Sequence, residues 1–219
     1  MKQVLFYKMK KNTTNIKKHV VEEIHRPARI NFKRRRVILK GLKDLYQADL
    51  CELGPYATEN NGFKYILVII NWFLKYLWAL PLKTKTGKEV AEKLEIVFKE
   101  SLPPKPFQTD QGTEFLLKNC QQLLKKYINK HYYTFSEKKA SVVKRVIKTL
   151  KCITWKELNV NGSYKWYSWL PTIVKQYNNR KHMTIGMKPS AVTKKHGKQL
   201  PDTDFSHNKI AYKPKLVIM

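Results

Sequence analysis

A chain of 219 residues, 42% hydrophobic and 12% aromatic, can bury one core of ordinary size and is too apolar to stay disordered. Its 44 Lys and Arg against 16 Asp and Glu leave a formal net charge of +28. That surplus disfavours self-packing and points to a polyanionic partner, nucleic acid ahead of an anionic membrane surface, because no long basic amphipathic helix stands near a terminus.

The three cysteines, Cys51, Cys120 and Cys152, are far apart, odd in number and without a Cys-x-x-Cys pair. Neither a disulfide framework nor a zinc site is expected from them, and reduced intracellular thiols are. The opening MKQVLFYKMKK has too short an apolar run for a signal peptide. The run FKYILVIINWFL stops at Lys75 and is too short to span a bilayer, so a soluble, intracellular protein without membrane contact is expected.

Residues 1–44 hold 14 Lys and Arg against 3 acidic residues, a net of +11 (14 − 3), with no matching apolar periodicity. We read a basic N-terminal arm over 1–43, with local helix near Val20–His25. Its run Lys33, Arg34, Arg35 and Arg36 suits phosphate contacts or nuclear import. His19 and His25 lack the cysteine pair that a zinc module requires.

From Leu45 the texture changes. YQADLCEL reads as a strand, and PYATENNG as a turn with Asn-Gly at its end. FKYILVIINW and YLWALPLK form the two arms of an antiparallel hairpin. Thr86 and Glu89 then make a capping box for a helix whose buried stripe is Val90, Leu94, Val97 and Phe98. SLPPKP ends that helix. PFQTD is the next strand, followed by a helix with Leu116, Cys120, Leu123, Leu124 and Tyr127 on one face.

KHYYTFS is expected as a fifth strand. A long helix from about Lys139 to Leu158 turns Val142, Val143, Val146, Ile147, Leu150 and Ile153 inward. A last helix, bent at Pro171, shows Trp166, Leu170, Ile173, Val174 and Tyr177 at helical spacing. The order implies a mixed α/β sheet of about five strands with helices on both faces, over residues 44–193, and a tail over 194–219. Asp49 and Asp110 fall on two strands closed over by the long helix, which is the layout of a two-metal phosphoryl-transfer site. Both are expected beyond strand C-termini, where such sheets form their sites.

These segments resemble the integrase catalytic core of retroviruses and related transposons, a ribonuclease-H-like fold, and most closely the integrases of Polinton/Maverick transposons. DLYQADLCEL is similar to the first-aspartate strand of that family, and GFKYILVIINWFLKYLWALPLKTKTGKEV to its hairpin and first helix. QTDQGTEF matches the second-aspartate motif, SEKKASVVKRVIKTLK the third-carboxylate helix, and YNNRKHMTIGMKPSAV the segment that closes the domain. The resemblance implies that Asp49 and Asp110 are the two catalytic, metal-binding aspartates, with Mg²⁺ or Mn²⁺ as cofactor. It implies double-stranded DNA as partner, a core homodimer and a nuclear location.

The family's glutamate falls on Lys144. Asn71 stands where many relatives carry aspartate, and Leu74 replaces a usual serine. The Lys and Asn departures each lie one base change from the family residue, as in an unselected or host-retained copy. At position 144 an oxygen ligand is lost and an ammonium gained, and repulsion of a 2+ ion at about 4 Å is several kcal/mol. A neutralised lysine would remain a poor Mg²⁺ ligand. Glu137, two helical turns earlier and about 10 Å away, is too far to substitute without a register change. Glu114 reads as a capping or structural residue.

The expected protein is thus a DNA-binding, transposon-derived integrase core with an incomplete Asp, Asp, Lys triad and weakened or lost metal binding. Lys144, Lys148 and Lys151, at i, i+4 and i+7, with Lys138 and Lys139, form its expected DNA-binding stripe. Two other readings stand beside it. One is an active Mg²⁺-dependent strand-transfer integrase using Glu137 or Glu114. The other is an RNA-binding or assembly protein that reuses the fold.

Overall fold

The computed structural model describes residues 16–22, 41–128, 130–133 and 141–197. Lys33, Arg34, Arg35, Arg36, Glu137, Lys138 and Lys139 lie outside the described residues. Residues 16–22 form helix α1, and residues 23–25 of the expected Val20–His25 helix lie outside the described residues. Five strands make one sheet in the order β3-β2-β1-β4-β5. They are β1 (Tyr46–Glu52), β2 (Tyr65–Asn71), β3 (Leu77–Leu82), β4 (Pro106–Thr109) and β5 (Lys130–Tyr133). β1–β2 and β2–β3 pair antiparallel, while β1–β4 and β4–β5 pair parallel. This is the mixed five-stranded α/β sheet expected from the order of elements.

Side chains alternate faces along a strand, and the alternation here decides where the site lies. Tyr46 and Ala48 of β1, with Leu67 and Ile69 of β2, face one layer. That layer is built by α2 (Gly87–Glu100) and α4 (Lys118–Tyr127) through Val90, Leu94, Phe98, Cys120 and Leu124. Cys51, Ile66, Val68 and Ile70 face the other layer, α5 (Ser141–Asn161) and α6 (Trp166–Asn179), and meet Val143, Val146, Leu150, Trp166 and Ile173. β2 is therefore covered on both faces, which is why it reads as an unbroken apolar run rather than an alternating one. By the same parity Gln47 and Asp49 lie on the α5 face of β1, and Gln108 and Asp110 share that parity at β4.

Two buried asparagines tie α6 to the sheet. Asn178 donates to Leu77 O at 2.8 Å and accepts from Leu77 N at 2.9 Å, so its amide acts as a short extra strand on the β3 edge. Asn60 donates to Tyr56 O and Tyr164 O at 2.6 and 2.8 Å and accepts from Tyr167 N at 2.9 Å. Thr86 caps α2 as expected by accepting from Glu89 N. The Glu89 carboxylate departs from the expected box: it accepts from Lys83 N and Thr84 N, each at 2.8 Å. It thereby fixes the β3–α2 turn.

One helical stripe is corrected. Leu116 is 45% exposed and Phe115 is buried in its place. The expected single helix is two, α3 (Thr113–Leu116) and α4, because Leu117 breaks it with an extended backbone at ψ 146. The break resets the helical phase, so a stripe counted through it fails.

Candidate functional site

The parallel pair Gln47↔Gln108 sets the offset between β1 and β4. The pairing ends there, and Asp49 and Asp110 each follow two residues on, close enough for the charge of Asp110 to act on Asp49. Asp49 is not beyond the end of its strand, as expected, but the fourth of seven residues in β1. The correction has a simple cause: β4 is only four residues long and ends at Thr109, so its edge faces the middle of β1.

Asp49 is buried and accepts from Leu50 N at 2.9 Å. Its carboxyl is pushed up to about 6, chiefly by burial and then by the charge of Asp110, with Glu114 acting in the same sense. The Leu50 N–H and the Lys144 ammonium pull the other way without reversing the shift. Asp110 is half-buried, and its Oδ1 accepts from Gly112 N at 3.1 Å, the short turn that ends the strand. Lys144 stands exposed on the first part of α5. The structure therefore brings Asp49, Asp110 and Lys144 into one corner where their charges act on each other.

Glu114 is buried in α3 beside them. Its carboxyl packs over Gly112, where a Cβ would lie 2.7 Å from Glu114 Cδ and would push that flexible side chain aside. The donor set does not fit a two-metal centre. It offers two facing carboxylates and an ammonium, and among the described residues no group of three His, Cys, Asp or Glu converges to hold an ion. Asp49, Asp110 and Glu114 thus do not make a ligand triad here.

Several residues that position the corner escaped the sequence reading. Gln47 Nε2 donates to Gln108 Oε1 at 2.7 Å, while Gln47 Oε1 accepts from Val143 N at 3.1 Å. One buried amide therefore joins β1, β4 and the first turn of α5, next to Lys144. Thr109 Oγ1 donates to Asp110 O at 2.9 Å and lies 3.0 Å from His131 Nε2. With the hydroxyl proton committed, Nε2 must carry the imidazole proton, which leaves Nδ1 to accept from Gln121 Nε2 at 3.5 Å. Burial lowers the His131 pKa, in keeping with that neutral form. The available signal was polar residues at two-residue spacing, Gln47/Asp49 and Gln108/Asp110, in otherwise apolar strands.

Asn71 is fully buried and every polar atom of its amide is used. Nδ2 donates to Leu42 O at 2.8 Å, and Oδ1 accepts from Phe73 N and Leu74 N, both at 2.9 Å. An aspartate could not supply the donor, so Asn71 fits its surroundings better than the family residue would. Lys148 is exposed and Lys151 half-buried, in line with Lys144 along α5.

Residues 43–139 match the integrase core domain family model. An uncharacterised transposon-derived protein of Caenorhabditis elegans is 33% identical over 138 residues, covering 63% of this chain and 48% of that protein. A retrovirus-related Pol polyprotein from transposon 412 of Drosophila melanogaster is 30% identical over 139 residues, 60% of this chain and 11% of that protein. The chain thus spans about half the length of the first relative and about a tenth of the second.

Among solved structures, the HTLV-2 integrase catalytic core domain in complex with magnesium superposes with a TM-score of 0.57 at 16% identity, over 71% of this chain and 97% of that one. A simian T-cell lymphotropic virus intasome in complex with the PP2A regulatory subunit B56 gamma gives a TM-score of 0.62 at 16% identity, over 87% and 66%. The mixed sheet with its flanking helices is the ribonuclease-H-like fold of retroviral integrase cores. Over residues 43–139 the chain is accordingly similar to the integrase core domain, and it resembles transposon-derived and retrovirus-related Pol proteins over about 138 residues.

Proposed function

We infer that this chain is a transposon-derived integrase core that binds double-stranded DNA along α5 and is impaired in metal-dependent strand transfer. The observation that carries the reading is Lys144: it puts an ammonium beside two facing carboxylates, in the corner where Asp49 already feels its charge. Phosphoryl transfer in such a corner requires divalent ions to generate the nucleophile and hold developing charge. Two carboxylates and a cation repel the second ion rather than bind it.

DNA binding is favoured by the same residue. Lys144, Lys148 and Lys151 lie along one side of α5, in a chain of net charge +28. Contact between lysines and phosphates is salt-sensitive and weakly sequence-dependent. Polinton/Maverick ancestry, nuclear import through Lys33–Arg36 and pairing of two cores are finer parts of the same proposal.

Fluorescence anisotropy with a duplex in EDTA tests it. Binding is expected to weaken steeply with salt, and replacing Lys144, Lys148 and Lys151 by Gln is expected to flatten the log–log slope by about 0.9 per lost phosphate contact. Gel assays with Mg²⁺ are expected to show no nicking. Robust joining of transposon-end oligonucleotides would overturn the reading, and tighter binding of structured RNA than of duplex DNA would replace it with RNA recognition.

A further inference from the structure

We propose that the exposed tyrosines Tyr164 and Tyr167, held in two ring stacks at the far end of α5, form a platform that stacks the unpaired bases of single-stranded DNA. The rings come from two distant segments. Phe63 and Tyr167 stack at 4.5 Å with planes 7° apart, and Tyr56 and Tyr164 at 5.1 Å and 24°. Trp155 of α5 meets Tyr56 edge-on at 5.1 Å.

The platform is built rather than incidental. Asn60, 1% exposed, bonds the backbone of Tyr56, Tyr164 and Tyr167 at once, so one buried amide sets the spacing of both stacks. Yet the outer members stay open to solvent, Tyr164 at 50% and Tyr167 at 36%. A purely structural stack would bury its apolar surface; this one presents it.

Charge and geometry select the occupant. Lys64, Lys83 and Lys165 are exposed around the rings, and Lys83 Nζ lies over Phe63 at 5.4 Å. The nearby Glu52 is paired to Lys85 at 3.6 Å. Aromatic faces interleaved with lysines are the composition of a single-strand groove, where rings take bases and cations take phosphates. Trp155 continues the Lys144, Lys148, Lys151 series at i+11, which brings it back to the same side of α5. From Lys144 to Trp155 is about 16 Å of helix, or about five base steps at 3.4 Å each. A strand tracking those lysines from the carboxylate corner therefore arrives at the rings, where a frayed or displaced end would stack.

The proposal extends the DNA-binding reading, and its test keeps the two apart. The chain is titrated with a DNA duplex, a thymidine single strand and an abasic strand of equal length. The intact single strand is expected to bind about tenfold more tightly than the abasic one, because both offer the same phosphates. Tyr164→Ala with Tyr167→Ala is expected to remove that difference and leave duplex affinity unchanged, and Tyr164→Phe to retain it. Equal binding of intact and abasic strands by the parent chain overturns the platform, whether or not the variants fold. An equal fall in single-strand and duplex binding on tyrosine replacement overturns it as well. Loss of duplex binding in the parent overturns the α5 reading, while an intact-over-abasic preference in that case upholds the platform alone. A single-stranded RNA that binds more tightly than the DNA strand overturns the assignment to DNA.

Discussion

Asp49 and Asp110 hold like charges near enough to act on each other, and Asp49 is desolvated as well. Folding with both ionised is therefore costly. The sign follows from linkage: the folded Asp49 carboxyl binds its proton more tightly than the unfolded one, so its contribution favours the fold below pH 3.8 and is lost as pH rises through about 6. Asp49→Asn, which can keep the Leu50 N–H bond, is expected to stabilise the protein at pH 7 by on the order of 1–3 kcal/mol. Thermal melts at pH 7.5 and 4 check this: the gain in Tm is expected at the higher pH and absent at the lower. Asn71 gives an opposite expectation. Restoring the family aspartate there removes the donor to Leu42 O and buries a charge, so Asn71→Asp is expected to cost about 1–3 kcal/mol in urea titration. An unchanged midpoint would count against the hydrogen-bond geometry. Asn71 illustrates a limit of motif comparison: a departure from the family pattern looks like decay until its three partners are known.

At the scale of elements, α5 matters through how it is seated. Its apolar stripe of Val143, Val146 and Leu150 was legible from helical periodicity, because packing on one face imposes that spacing. Its rotation and height over the aspartates were not, since they depend on the Gln47 amide joining Val143 N to Gln108. A glutamine in a strand looks like any polar strand residue until the opposite face is known to be filled by α2 and α4. Gln47→Ala is expected to cost about 1–3 kcal/mol by stranding two buried partners. Hydrogen exchange is expected to speed up at 143–146 before it does in α6. Uniform loss of protection across both helices would argue that Gln47 acts only on global stability. The α3–α4 break at Leu117 was illegible for another reason: no Gly or Pro marks it, and α3 has no side-chain cap hydrogen bond to signal it.

For the molecule as a whole, a mixed sheet of about five strands followed from the succession of strands and helices, because short connections leave few topologies open, while the order β3-β2-β1-β4-β5 was not read from the sequence. The two aspartates were readable as a pair, and their meeting in space follows from parallel β1–β4 pairing. What composition alone could not convey is that Lys144, Lys148 and Lys151 share one side of α5. The groove of about 690 Å³ between α6 and the β3 edge is lined by Tyr76, Pro81, Leu170, Pro171 and Val174 and reaches Tyr167. Among the described residues no helix is long and apolar enough to cross a membrane.

The proposed impairment rests on Lys144, whose charge acts on Asp49 where a second carboxylate-bound cation would sit. Titrating Mn²⁺ into the protein by isothermal calorimetry, beside Lys144→Glu, tests it most directly. The parent chain is expected to take up at most one weakly held ion and Lys144→Glu measurably more, with a matching rise in Tm on adding the ion. Tight uptake of two ions by the parent chain would contradict it.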